Sequence, residues 1–267
     1  MSEETAPTNR RISASRTAIA VGVTGVAVLV TSAGLVLTSV GGPAGTPAKP
    51  PRAASAGQAA QRRPAARGGA SLATVLQTVP RYASPGQRAV GTVPDQWYDR
   101  PSVLPVIATS PGWVEVRLAQ RPNGSMTWLP ASDVKLSSTP YRIVVNTTTT
   151  HIALYDQGRL VFSAPAGLGT SGDPTPAGEY FVAFDEQPPQ PNPGYGPFIM
   201  VTSAHSPGIS DWEGSGDAVI GIHGPLGDDS EIGATGARIS HGCIRLHDQA
   251  LERLAEVPPG TPIDVVS

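Results

Sequence analysis

One cysteine, Cys243, stands among 267 residues, so the chain cannot close an internal disulfide and its one thiol is free. Charge of one sign is also missing. Nineteen Lys and Arg face 21 Asp and Glu for a net charge of −2, and no basic stripe runs along the C-terminal half, which argues against nucleic acid as a partner. Long periodic helices are scarce, while 30 Gly and 28 Pro punctuate the chain into short segments. That pattern predicts many short strands joined by turns. No carboxylate lies beside the cysteine or the nearby histidines to orient a catalytic base.

Charge is absent altogether from Thr17 to Val40, a run of 24 residues. As a helix it would be ~36 Å long, enough to cross a hydrocarbon core of ~30 Å. Arg10, Arg11 and Arg16 precede it, and the next charge is Lys49. The expectation is a cytoplasmic segment 1–16, a single-pass anchor in the lipid bilayer over 17–40, and the rest of the chain outside the plasma membrane. A cleaved signal peptide is the rival. Its apolar region is ordinarily shorter, and the one small-residue site, Ala54-Ser55-Ala56, lies far beyond the run.

Residues 41–70 contain 21 Gly, Pro or Ala and no aromatic, Val, Ile or Leu residue, so they are expected to be a disordered linker. The following stretch, 71–138, reads as a small β module. Ser102–Ala108 and Gly112–Leu118 are expected strands, Pro122-Asn123-Gly124 a turn, and Ser125–Leu129 the returning strand. "GWVEVRL…RPNGS…W" resembles the bacterial SH3-like domains of envelope proteins; the alternative is that these strands only pad the edge of the next domain. In 139–267, strands are expected at Tyr141–Asn146, His151–Tyr155, Arg159–Ser163, Gly178–Phe184 and Pro262–Val266. A single helix is expected at 248–256, capped by Asp248 and stopped by Pro258-Pro259. The fold class is mainly β, with one or two short helices.

The cysteine sits in "ISHGCIRL", Ile239 to Leu246. Three readings fit it: nucleophile, inert buried thiol, or metal ligand. A position beside His241 and Gly242, close to the start of a helix, would push the thiol toward thiolate. A nucleophile also needs a base. His223 ends the apolar run Ala218–Ile222, where a strand tip holds a ring rigidly and leaves room for substrate. His241 is the second candidate, while His151 and His205 fit structural roles and His247 a helix cap. The loop Gln187–Tyr195, QPPQPNPGY, is a candidate wall or lid.

"HGPLG" from His223, sixteen further residues to Ser240, and then "SHGCIRL" resemble the signature of the L,D-transpeptidase catalytic domain, the YkuD-like family. Thr175-Pro-Ala-Gly-Glu-Tyr180 is similar to that family's TP-G-x-Y/F segment, and the resemblance covers roughly Tyr141 to Ser267. It implies an enzyme that makes 3-3 cross-links between peptidoglycan stem peptides, one as donor and one as acceptor. Cys243 would be the nucleophile, His223 the general acid and base, and the Gly224 carbonyl the group orienting the base. His241 would position the nucleophile loop, the Gly242 amide would serve the oxyanion, and Ser240 and Arg245 would contact substrate. No metal and no cofactor are implied. Many relatives have Asn two residues after the cysteine where this chain has Arg245, a known variant. That arginine has two readings of equal weight, a fork for a substrate carboxylate or a partner for an acid of its own domain. The same site could instead hydrolyse, as an L,D-carboxypeptidase, or attach a protein to the wall. From other classes, a zinc hydrolase would use His223, His241 and Cys243 as ligands, and a wall-binding protein would carry a dead site.

Overall fold

Apolar residues alternate along most of the C-terminal half, and each alternating segment becomes a strand with one face in a core. The structure is a computed structural model that describes residues 61–62, 68–212, 214–234 and 236–267. The expected segments 1–16 and 17–40, and most of 41–70, lie outside the described residues. Among the described residues no helix is long and apolar enough to cross a membrane.

Seven strands form the main path of the eight-stranded first sheet: β1 (Ala70–Val75), β2 (Val79–Tyr82), β3 (Ala89–Val93), β4 (Val103–Ser110), β5 (Trp113–Arg117), β6 (Met126–Pro130) and β7 (Val134–Thr139). Their order is β7-β1-β4-β5-β6-β2-β3, and Gln61–Arg62 pair with Thr109 and Ala108 of β4. The linker expected over 41–70 therefore reached too far, since its end already pairs with the sheet. A two-residue turn joins the short strands Gln96–Trp97 and Arg100–Pro101. Val75, Val79, Val93, Leu104, Val114, Val116 and Leu129 form a core of their own, so these strands do more than pad an edge.

The second sheet contains β8 (Tyr141–Asn146), β9 (His151–Asp156), β10 (Arg159–Pro165), β11 (Gly178–Glu186), β12 (Ile199–His205), β13 (Val219–His223), β14 (Ile244–Arg245) and β15 (Pro262–Val266). Its order is β10-β9-β8-β15-β11-β12-β13-β14. The C-terminal strand β15 enters the middle, parallel to β8 and antiparallel to β11. That central strand pairing needs long-range contacts and fixes the sheet only when the whole segment is present.

One strand serves both cores. Tyr180 and Val182 of β11 belong to the core of the second sheet, whereas Phe181 between them packs into the core of the first. Period-two alternation places neighbours on opposite faces, so β11 is buried on both. The two sheets belong to one unit that includes residues 54–267.

The helix is shorter than expected. α1 covers Asp248–Glu252, and its N-cap is His247, not Asp248. Beyond it the amides of Leu254 and Ala255 donate to Leu251 and Glu252 at 2.8 and 3.2 Å, i→i+3 bonds that tighten the chain out of α geometry. Of the face expected from Leu251, Leu254 and Ala255, the two leucines are fully buried and Ala255 is exposed, because the chain has left α geometry there.

Candidate active site

Strands β13 and β14 run parallel, with Ile222 opposite Ile244 and His223 opposite Arg245. Ile222 and Ile244 face the core. Gly221, His223, Cys243 and Arg245 line a cleft of about 640 Å³ on the other side. Sequence distance thus collapses into one surface, because adjacent strands lie only ~4.8 Å apart.

The turn that carries the sulfur is held by two hydroxyls. Ser240 Oγ donates to the Cys243 carbonyl at 2.6 Å and accepts from the Gly242 amide at 3.1 Å. Thr175 Oγ1 donates to the Gly242 carbonyl at 2.8 Å and accepts from the Gly169 amide at 2.9 Å. Gly242 has φ +119, and a Cβ there would stand 2.7 Å from Ile220 Cδ1, so this position is closed to side chains.

Cys243 is half-buried, and its Sγ accepts the Gly221 amide at 3.4 Å. Burial pushes the thiol up, and the Gly221 amide and the Arg245 guanidinium only partly oppose it. This corrects the expectation of a pre-ionised thiol. Strand β14 stands between Cys243 and α1 in the chain, so the cysteine is not itself at the helix terminus.

His223 is 3% exposed, and its Nδ1 lies 2.8 Å from the Gly224 carbonyl. A carbonyl only accepts, so Nδ1 carries the proton and Nε2 keeps a lone pair in the neutral ring. Burial pushes the imidazole down to about 4; the Gly224 hydrogen bond resists and the Arg245 charge adds to the fall. At neutral pH the site therefore holds a neutral thiol and a neutral base.

Gly224 must be glycine for a steric reason as well. A Cβ would lie 2.6 Å from Gly196 N and 2.7 Å from Gly194 O, both backbone atoms. The loop that approaches so closely is the end of the expected wall or lid. Asn192 Oδ1 accepts the amides of Gly194 and Tyr195 at 2.9 and 2.7 Å, and the Gly224 amide donates to the Tyr195 carbonyl at 2.7 Å. The Tyr195 ring then stands edge-on to His223, centroids 5.0 Å apart. Such anchoring makes this segment a wall.

Three assignments need correction. The Gly242 amide, expected to serve an oxyanion, is occupied by Ser240 Oγ. Ser240, expected to contact substrate, is buried and uses its hydroxyl on the turn itself. His241, expected to position the nucleophile loop, is exposed at the rim with its ring 5.5 Å from Trp212; Ser240 and Thr175 hold the loop instead. Arg245 takes the second of its two readings, an ion pair with Asp228. His205 lies buried with Nδ1 2.9 Å from Asp217 Oδ2, and His151 lies at the start of β9, away from the cleft. His247 is the N-cap of α1 as expected, its carbonyl accepting the first helical amides, while its Nδ1 meets Asp229 Oδ1 at 2.7 Å in place of a side-chain cap bond. Among the described residues no group of three His, Cys, Asp or Glu side chains could hold a metal ion, so the zinc ligand set of His223, His241 and Cys243 does not assemble.

Residues 140–265 match the sequence profile of the YkuD family, described as the L,D-transpeptidase catalytic domain. A Bacillus licheniformis protein named L,D-transpeptidase YkuD, a provisional designation, is 35% identical over 127 residues, 47% of this chain and 66% of that protein. A Bacillus subtilis protein with the same provisional name is 30% identical over the same shares. The chain thus spans 66% of the length of these curated relatives. Among solved structures, the catalytic domain of an E. faecium L,D-transpeptidase is 27% identical with a TM-score of 0.34, covering 47% of this chain and 95% of that one.

Proposed function

We propose that this chain, whose residues 140–265 match the L,D-transpeptidase catalytic domain, is a peptidoglycan L,D-transpeptidase working through a Cys243 thioester. The observation that carries the reading is the convergence of Cys243 and His223 on one cleft, with the His223 Nδ1–H spent on the Gly224 carbonyl. That hydrogen bond leaves Nε2 as the base and fixes its direction, the role a carboxylate plays in other triads.

In this reading Cys243 attacks the carbonyl between the third residue of a tetrapeptide stem and its terminal D-alanine. His223 Nε2 takes the thiol proton during the attack and returns it to the departing amine. An amine of a second stem resolves the thioester and makes a cross-link between third residues. With the Gly242 amide occupied, we assign the developing oxyanion to the Cys243 amide; one such donor is ordinarily worth about 3–4 kcal/mol of barrier. Arg245 acts from beside the pair, where its charge helps keep the imidazole neutral. The residues 17–40 are read as an anchor that holds the enzyme at the plasma membrane with this cleft on the wall side, supported by the uncharged run and the arginines before it.

Incubation with a tetrapeptide stem, with and without a tripeptide stem bearing a free side-chain amine, tests the assignment. Intact mass should show a covalent adduct on Cys243 and release of D-alanine, and the acceptor should divert product from hydrolysis to a cross-linked dimer. D-alanine release with no dimer at any acceptor concentration would make the protein a carboxypeptidase. Unchanged turnover in Cys243→Ala would remove the thiol mechanism.

A further inference from the structure

Nine large apolar side chains are exposed among the described residues, and only two of them are aromatic: Tyr98 at 53% and Trp212 at 43%. Both line the cleft that holds Cys243 and His223. Exposed apolar residues scattered singly need no explanation, but two aromatic rings at one catalytic mouth do.

Tyr98 comes from the N-terminal half of the described chain, in a two-stranded hairpin of its own outside the two large sheets, and its backbone is strained. Tyr98 and Asp99 form the two-residue turn between Gln96–Trp97 and Arg100–Pro101, with φ of +50 and +58. Two successive positive φ values mark the tight hairpin turn that favours Asn-Gly. A bulky residue there is an outlier, and such strain collects where a side chain must be presented to a ligand.

The hairpin is also fixed to the catalytic sheet. Trp97 stands edge-on to Phe184 at 5.8 Å and to His205 at 6.2 Å, and Arg100 lies 5.9 Å above the Phe184 ring. From the turn between β5 and β6, Arg121 donates to the carbonyls of Ser206 and Ile209 at 2.7 and 2.9 Å and to Asp217 Oδ1 at 3.0 Å. These contacts grip the segment that carries Trp212. The N-terminal module thereby supplies one rim residue and holds the backbone under the other.

We propose that the N-terminal module completes the catalytic cleft by presenting Tyr98 as an acceptor-selecting residue, which with Trp212 and Glu186 receives the primary ammonium group of the incoming stem. The proposal rests on the transpeptidase reading. Charge supports the choice of ligand. Aromatic faces and a carboxylate attract a cation, and Glu186 lines the cleft with both rings. The other acid of the lining, Asp217, is already paired with Arg121, and the cleft's arginine, Arg245, is paired with Asp228. Strand order supports the side. β14, which starts directly after Cys243, lies at the sheet edge, followed by β13 with His223, then β12, then β11 with Phe184 and Glu186. The bound ammonium first gives one proton to water, and the resulting amine, which gives a second proton to His223 as it attacks the Cys243 thioester, comes from the β11 side, where Tyr98 lies 6.3 Å from Phe184. A carboxylate there also repels the carboxylate of released D-alanine.

The test is Tyr98→Asn, because Asn tolerates positive φ and preserves the turn, with Tyr98→Phe as the ring-retaining control. Acylation is read from D-alanine release in a single turnover, and transfer from dimer yield against acceptor concentration. Tyr98→Asn should raise the acceptor KM about 5–10-fold, the loss expected of one cation–π contact of ~1 kcal/mol, with acylation within twofold of wild type. Tyr98→Phe should resemble wild type, and Glu186→Gln should raise the acceptor KM similarly. An acylating wild type whose acceptor dependence is unchanged in Tyr98→Asn overturns the proposal, as does an equal loss in acylation. A wild type that forms no thioester instead removes the transpeptidase reading, and the proposal with it.

Discussion

Thr175→Val removes one oxygen and nothing else of size, so its effect isolates what that hydroxyl does. The side chain is 5% exposed, and its Oγ1 serves two backbone groups, the Gly169 amide at 2.9 Å and the Gly242 carbonyl at 2.8 Å. Both glycines are buried, so water does not replace the lost partner. Each stranded group costs about 1–3 kcal/mol, and together they predict a loss of about 2–6 kcal/mol. That is a large share of the ~5–15 kcal/mol that ordinarily separates a folded domain from its unfolded chain. Thr175→Ser keeps the hydroxyl and gives up one methyl, for a cost of about 1 kcal/mol. Urea denaturation at pH 7 measures both. Because Ser240 holds the amide of the same Gly242 whose carbonyl Thr175 holds, Thr175→Val and Ser240→Ala should also be non-additive by at least ~0.5 kcal/mol. Single-turnover acylation should fall in Thr175→Val and survive in Thr175→Ser, since only the former loosens the turn bearing Cys243. If Val and Ser variants are equally stable, the two hydrogen bonds do not hold the nucleophile turn and the reasoning fails.

Other consequences concern protons and backbone clearance. His223 acts as a base only when neutral, so acylation should be level near neutrality and fall as pH drops through about 4, a profile read from pre-steady-state rates. A break near 6.5 would contradict it. Since the folded value lies below the ordinary histidine value of about 6.5, the unfolded chain takes the proton first, so stability is complete above about 6.5 and declines toward about 4. The decline is worth up to ~3 kcal/mol, and denaturation of His223→Gln should lack this part of the slope. Iodoacetamide should label resting Cys243 at pH 7 more slowly than an ordinary thiol, because burial raises it; a labelling midpoint near pH 6 would point to a preformed ion pair. Gly224→Ala places a methyl against the backbone of Gly194 and Gly196 and should cost about 1–3 kcal/mol in melting experiments while displacing Tyr195 from His223. An unchanged melting temperature would show that the loop yields freely.

How much of this was legible in the chain depends on how far each signal reaches. Val219–His223 could be read locally, because an apolar run ending in histidine and glycine describes a buried strand tip. The lone sulfur and its Gly-rich turn were likewise visible in "SHGC". The jobs of Ser240 and Gly242 were not, because which amide a hydroxyl takes depends on turn geometry that the letters do not carry. Thr175 was quoted for its segment but given no role; its partner Gly242 is 67 residues away. Asp228, the partner of Arg245, sits in a loop whose composition marks only a turn. Tyr98 gave no warning at all. A Tyr-Asp pair does not look like a positive-φ turn, and only the placement of one sheet against the other brings it to the cleft. Local periodicity located strands and cores, then, while the site assignments that failed concern which partner a polar group takes, whether from the same turn, as for Ser240, or from a distant loop, as for Arg245.

The chemistry that emerges differs from the one that the motif alone invited. A cysteine next to two histidines invites a stored thiolate–imidazolium pair, yet every large effect here favours the uncharged forms. The sulfur is desolvated and the ring is buried, and Arg245 opposes a proton on the imidazole. The same arginine favours thiolate, but less strongly than burial disfavours it. Charge separation is therefore deferred until a substrate carbonyl is in place to share it, and a nucleophile kept neutral at rest is also less exposed to oxidants, which attack thiolate. For a cleft placed as proposed, outside the membrane with one unpaired thiol, that arrangement trades resting reactivity for persistence. The alkylation profile decides it, because a stored ion pair and a neutral pair give opposite answers at pH 7.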